Sequence, residues 1–278
     1  DIGLPPLVNF GSETLKSLIV PKVLCGEKIC ALAITEPAAG SDVANIKTRA
    51  IAEIVTDKSY YRVNGSKTFI TSGIRADYYT VAVRTGGDGY GGISLLVMEK
   101  GTEGFTTGKA LKKMGWWASD TAELFFDDCL VPTENLIGVE NEGFKMITSN
   151  FQSERLTLAL MANISSELAL NACLEYVKQR RAFGKPLAGF QTIRHKLADM
   201  ATMLEASREF TYRCAARIEA QEVIFKEISM AKNLATDASD KITYDAVQIF
   251  GGMGYMRESL VERLFRDNRI LSIGGGTR

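Results

Sequence analysis

A glutamate stands where a helix should be apolar. Ile147, Phe151, Leu158 and Met161 recur along one stretch, and Glu154 fills the gap between Phe151 and Leu158. The series 147, 151, 154, 158, 161 alternates four and three, as one helix face requires. A carboxylate on such a face is either paired or desolvated. Desolvation disfavours the charged form and raises its pKa toward the range of a general base. On pattern alone an ion pair, with Arg155 of the partner subunit or with another arginine, is the plainer account, because structural pairs also perturb pKa. A second candidate is the run ALAITEPAAGSD, residues 31–42. A small apolar strand leads into a turn where Thr35, Ser41 and the backbone amides around Gly40 offer donors with little side-chain bulk. Such a turn suits a large polar, phosphate-bearing ligand, although an ordinary strand-to-loop exit has the same composition.

Three further runs follow in order: NGSKTFITSG (64–73), QRRAFGKPL (179–187) and AVQIFGGMGY (246–255). Phe69 and Thr71 in the first read, taken alone, as core residues of a hairpin strand. The arginines of the second suit a pyrophosphate, and they equally suit a helix C-terminus ended by Gly184 and Pro186. FGGMG follows a helix rather than a strand, so a Rossmann reading fails. His195, the only histidine, has no serine or cysteine motif beside it and reads as a surface or interface residue. Trp116 and Trp117 sit in a loop and read as packing.

The elements that must carry these residues fall into three segments. Residues 1–28 predict one short helix, roughly 12–20, stopped by Pro21. Residues 29–139 are strand-rich: KICALAIT, YYRVNGSKTFIT, DYYTVAVRT, GISLLVMEK and TAELFFDD are β-branched or aromatic runs divided by Gly, Asp and Asn. Asn64-Gly65 is a two-residue hairpin signal. The segment predicts an antiparallel barrel or sandwich that ends near Pro132. From residue 140 onward helical periods cover about 142–181, 191–220, 222–250 and 258–271, which predicts an antiparallel four-helix bundle. The fold class is α+β, a β-domain followed by a helical bundle.

The four runs together resemble the acyl-CoA dehydrogenase family, flavoproteins that oxidise acyl-CoA thioesters. The resemblance extends from about Gly11 to the last residue. It implies helices, then a β-domain, then helices, with most of an N-terminal helical domain absent and residues 1–28 as its remnant. It implies FAD as cofactor. Thr71 then lies beside flavin N5 and Phe69 beside the isoalloxazine. Thr35 and the strand around Leu32 and Ile34 line the pyrimidine end, and Ser41 lies near the CoA thioester or the cofactor phosphates. Arg180, Phe183 and Gln191, and separately Gln248, Gly251 and Gly252, hold the ADP half of a flavin in the adjacent subunit, so a homodimer or homotetramer is implied. Thr277 joins the cofactor contacts, and Arg155, Gly275 and Gly276 join the substrate contacts.

In many members the base is a Glu in a YEGT-like run near the C-terminus. Here that run is IGGGT (273–277), with Gly275 in the place of the Glu. Isovaleryl-CoA and long-chain members carry the base on the first helix of the bundle, within an ERL run. Here that run is Glu154-Arg155-Leu156. The resemblance therefore implies Glu154 as the base of an α,β-dehydrogenation giving a trans-2-enoyl-CoA, with electrons passed to an electron-transfer flavoprotein. An acyl-CoA oxidase-like enzyme and a non-catalytic flavin-binding member are the alternatives.

Composition narrows the rest. Lys plus Arg equals Asp plus Glu at 33 each, which argues against nucleic-acid binding through a basic field. The apolar runs look too interrupted to span a bilayer, so no membrane partner is expected. The five cysteines form no metal-ligand spacing and read as buried thiols in a reducing compartment. The expected location is the cytoplasm of a bacterium or a mitochondrial matrix.

Overall fold

The computed structural model describes residues 2–277. It begins with two helices, α1 (Leu4–Phe10) and α2 (Glu13–Leu24). Ser12 caps α2, its hydroxyl accepting the Leu15 N–H at 3.2 Å. Pro21 does not stop this helix but lies inside it. The missing N–H deprives only the carbonyl of Ser17, an exposed residue that water can reach.

Eight strands follow: β1 (Cys30–Ala33), β2 (Arg49–Val55), β3 (Lys58–Thr71), β4 (Tyr78–Arg84), β5 (Ile93–Glu99), β6 (Phe105–Thr107), β7 (Thr121–Pro132) and β8 (Leu136–Ile137). They form one sheet in the order β6-β7-β3-β2-β4-β5-β8, with β1 on β4. The sheet is open and mixed, which corrects the expectation of an antiparallel barrel or sandwich. β1 runs parallel to β4, from Cys30 beside Tyr78 to Ala33 beside Val81. A parallel pair needs a long crossover, and β2 and β3 supply it.

β2 was absent from the sequence reading, and with it the true hairpin. The turn is Thr56-Asp57, both at positive φ (49° and 65°), between the paired residues Val55 and Lys58. Asn64-Gly65 lies instead within β3, at a bulge against β7. There the Asn64 side chain exchanges two hydrogen bonds of 2.9 Å with Asp128. Gly65 is at φ 146°, and a Cβ on it would stand 2.6 Å from the Thr48 hydroxyl. Close approach of two chains, not reversal, explains this glycine. Inward residues Val63, Tyr79, Val81, Leu96, Met98, Leu124 and Phe126 form the core of the sheet.

The rest is helical: α3 (Gly143–Gln179), a small hairpin of β9 (Arg181–Ala182) and β10 (Lys185–Pro186), α4 (Gln191–Glu219), α5 (Phe225–Phe250) and α6 (Leu260–Asn268). The chain forms two compact units, Asp1–Lys113 with Trp117–Asn150, and Met114–Trp116 with Phe151–Arg278. In the second unit α4 and α5 run antiparallel, tied near one end by Arg217 to Glu227 (3.1 Å) and near the other by Lys196 to Asp245 (2.7 Å). Asn163 on α3 bonds the hydroxyls of Thr211 (3.0 Å) and Ser207 on α4.

The apolar face of α3 drifts away from the expected stripe. Leu158 is buried, but Met161 is 39% exposed, and burial passes to Ala162, Ala169, Leu170, Cys173 and Val177. Among the described residues α3 is the one helix long and apolar enough to cross a membrane by length and composition. The expectation that every apolar run is too short therefore fails on that criterion. Its buried side packs in the helical core with Met200, Leu204, Ile242 and Ile249. Four cysteines are buried as expected, whereas Cys25 is exposed at the end of α2. Trp116 packs on Leu158, Ala159 and Ala162, with its N–H 2.7 Å from the Asp267 carboxylate. Trp117 is exposed.

Candidate active site

In the β-unit the run 31–42 is shaped by a buried ion pair that sequence reading missed. Lys67 on β3 is 0% exposed in its side chain. Its Nζ donates to the Ile34 carbonyl at 3.0 Å and to Glu36 Oε1 at 2.8 Å. Glu36 also accepts the backbone N–H of Lys47 at 2.5 Å and of Thr48 at 3.0 Å. Burial raises the Glu36 pKa, but the Lys67 charge and these hydrogen bonds outweigh it and hold the carboxyl below its ordinary value. Burial pulls the Lys67 ammonium down to about 8 against the attraction of Glu36.

Leu32 and Ile34 are themselves buried, so only their backbone can serve a ligand. Thr35 is half-buried, with its carbonyl accepting the Thr68 N–H at 2.8 Å. Gly40 and Ser41 are exposed. Directly after Lys67, β3 loses its regular pairing with β7 until Ile70. Phe69 sits in this irregularity at φ 58° and is 68% exposed. A left-handed backbone at a bulky residue carries strain of about 1–2 kcal/mol, and such strain gathers at functional sites. Thr71, half-buried, closes the strand.

In the helical unit the site is built around Glu154. Burial raises its carboxyl above the ordinary 4.5, and the charges of Arg155 and Lys232 oppose that rise. Its Oε2 is buried with no hydrogen-bond partner. Within one chain no described residue bonds Oε2. Arg155 turns to the C-terminal turn, its Nε donating to the Gly275 carbonyl at 2.8 Å and its Nη1 to Ser229 Oγ at 3.3 Å. Lys232 on α5 is buried, and its Nζ donates to the Gly276 carbonyl at 2.5 Å. Sequence reading missed Lys232, whose bond to Gly276 joins residues 44 apart in sequence. Gly275 and Gly276 both have positive φ (62° and 86°). A Cβ on Gly275 would stand 2.7 Å from Leu158 Cδ1 and 4.0 Å from Glu154 Cγ. Thr277 is exposed.

The remaining candidates lie on two surface loops of the same unit. Arg180, Phe183 and Gln191 are exposed around the β9–β10 hairpin, and Phe183, at φ 49°, is 95% exposed. Gln191 Nε2 lies 3.5 Å from His195 Nε2 at the start of α4. Gln248, Gly251 and Gly252 are exposed at the end of α5, where a Cβ on either glycine would meet nothing within 4 Å. Both loops can admit a ligand close to their backbone.

Known proteins resemble this chain in sequence and fold. A family model described as acyl-CoA dehydrogenase, C-terminal domain, matches residues 141–278, and one described as acyl-CoA dehydrogenase, middle domain, matches residues 31–129. An acyl-CoA dehydrogenase of Bacillus subtilis is 43% identical over 277 residues, which cover 99% of this chain and 72% of that protein. A solved structure of a probable acyl-CoA dehydrogenase from Mycobacterium abscessus matches with a TM-score of 0.96 at 52% identity, over 99% of this chain and 72% of that one. An acyl-CoA dehydrogenase from Bacillus anthracis, solved in complex with FAD, matches with a TM-score of 0.92 at 32% identity, over 99% of this chain and 50% of that one.

Proposed function

The chain belongs to the acyl-CoA dehydrogenase family, and from that premise we propose that it oxidises an acyl-CoA thioester to the trans-2-enoyl-CoA with Glu154 as the base and passes the electrons to an electron-transfer flavoprotein. The observation that carries the base assignment is the meeting of two positions. A side chain starting at Gly275 would begin 4.0 Å from Glu154 Cγ. A carboxylate carried at position 275, as in a YEGT-type member, would thus approach the Glu154 carboxylate from a different element. A buried, partnerless Oε2 with a raised pKa suits a group that must accept a proton from carbon.

The residues suit FAD. Phe69 offers an exposed aromatic face on a strained backbone, Thr71 a hydroxyl, and the open glycines at 251 and 252 room for a nucleotide. Bound FAD would accept the Cβ hydrogen as hydride. Glu154 takes the α-proton. The amides of Gly275 and Gly276 are the donors to the thioester oxygen, where negative charge grows. Arg155 draws the Gly275 carbonyl to its own side. The trans peptide then aims the Gly276 N–H the other way. With Glu154 as the base, we place the chain with the isovaleryl-CoA and long-chain type. Phe183, with Met253 and Tyr255 on the second loop, leaves apolar surface exposed, and we assign it to contact with a second copy in a homodimer or homotetramer.

Anaerobic bleaching of the yellow protein by a panel of acyl-CoAs tests this reading. Glu154→Gln is expected to keep the flavin colour and lose the bleaching. Wild-type bleaching by that variant would remove Glu154 from the mechanism.

A further inference from the structure

The run 31–42 is fixed from inside by buried charge. Lys67 holds the Ile34 carbonyl and Glu36 Oε1. Glu36 in turn grips the N–H groups of Lys47 and Thr48. One carboxylate therefore joins the two feet of the loop 37–46. A second cation closes the far side. Arg84 is buried on β4, and its guanidinium donates to the carbonyls of Ile46 (3.0 Å), Ala44, Gly87 (2.5 Å) and Gly89 (3.2 Å). Between these anchors the loop offers Gly40 and Ser41 to solvent. Lys67 also stands immediately before the irregular stretch of β3 that presents Phe69. Thr68 N–H, in that stretch, bonds the Thr35 carbonyl.

A buried ion pair is a poor way to stabilise a sheet, since apolar residues of similar volume often do as well or better. What this pair does that apolar residues cannot is bind one carbonyl and two amides of a loop. We propose that the Lys67–Glu36 pair is a positioning device that sets the geometry of loop 35–46 and of Phe69 for the cofactor and thioester, an inference that rests on the flavoenzyme reading above. Neither residue touches the reacting atoms. Both act through Thr35, Ser41 and Phe69.

The test compares the FAD-loaded wild type with Lys67→Met/Glu36→Gln, which removes both charges together, and with the conservative Lys67→Arg. Three quantities are read: FAD affinity, the bleaching rate, and amide hydrogen exchange across residues 37–46. The double variant is expected to fold, since no unpaired charge is left buried, and to melt lower than the wild type, since the Ile34 carbonyl and one loop N–H lose their partners. Its loop amides should exchange about tenfold faster, with or without FAD, and FAD should bind about tenfold more weakly, as for a loop that keeps its competent shape roughly a tenth of the time. Lys67→Arg should recover part of both losses. A folded double variant with wild-type exchange and affinity overturns the proposal. So does a double variant that cannot fold, since the pair would then hold the domain and not the loop. If the wild type takes up no FAD, the flavoenzyme reading falls, while exchange across 37–46 still decides whether the pair holds the loop.

Discussion

Moving the proposed base from position 154 to position 275 is the strictest check on the proposed chemistry. The perturbation is Glu154→Gln combined with Gly275→Glu. Loss of the base alone should slow bleaching by about 10²- to 10⁴-fold, which is about 3–5 kcal/mol of barrier. The new carboxylate starts 4.0 Å from the Cγ of residue 154, so its carboxyl can reach the same space. The substitution also strains the fold. Gly275 is at φ 62°, and a side chain there costs about 1–2 kcal/mol. Its Cβ would stand 2.7 Å from Leu158 Cδ1, the tip of a side chain that can rotate away, for roughly another 1–3 kcal/mol of overpacking.

The expected outcome is a double variant that melts several degrees lower, retains its flavin, and bleaches faster than Glu154→Gln alone with short straight-chain acyl-CoA. A gain of about tenfold would correspond to about 1.4 kcal/mol recovered at the barrier. Anaerobic stopped-flow absorbance gives the rate and a thermal melt gives the strain. A folded, yellow double variant with no gain over the single one refutes the idea that carboxylates at the two positions reach the same point.

Glu154 also gives the protein a pH signature. Its folded carboxyl keeps a proton to higher pH than the ordinary 4.5, so the folded state binds more protons within that window and stability falls as pH rises through it. Bleaching should rise over the same window, and a melt of Glu154→Gln against pH should lack the fall in stability; a parallel fall in the variant would contradict this account. Lys232→Met removes a charge that holds Glu154 down, so the acid limb of the bleaching profile should move to higher pH, and an unmoved limb would count against that coupling. Gly276→Ala forces a Cβ to within 2.7 Å of Arg155 Nη2 at φ 86° and should lower stability by about 1–3 kcal/mol in urea unfolding. Gly252→Ala meets nothing within 4 Å and should leave stability within about 0.5 kcal/mol while weakening FAD binding.

Period and punctuation made the helices legible. The spans expected near 142–181, 191–220 and 222–250 correspond to Gly143–Gln179, Gln191–Glu219 and Phe225–Phe250. The sheet was legible in its strands but not in its pairing. β2, with Ile51 and Ile54 exposed, breaks the inward-outward rule that marks a half-buried strand, so its hairpin through Thr56-Asp57 went unread. Asn64-Gly65 misled because a glycine needed for chain crossing looks in sequence like one needed for a turn. At the candidate site, Glu154 was visible as a charge in phase with the apolar stripe of its helix. Lys67, Glu36 and Lys232 were not, because their partners are backbone carbonyls and amides, or side chains distant in sequence.

Buried Glu36 and half-buried Glu154 show how partners, and not burial alone, set what a carboxylate can do. Burial pushes both Glu36 and Glu154 upward. Glu36 meets an ammonium at 2.8 Å and two backbone N–H groups, and ends below its ordinary value. Every bond that lowers it also spends a lone pair, so it has little left to offer a proton from carbon. Glu154 feels Arg155 and Lys232 as charges, yet both direct hydrogen bonds to the carbonyls of Gly275 and Gly276. The same two cations thus keep Glu154 from rising further and hold the amide turn opposite it, while Oε2 stays without a partner. A carboxylate in that state can take a proton, which is what the proposed base requires, whereas the bonds around Glu36 suit the proposed positioning role.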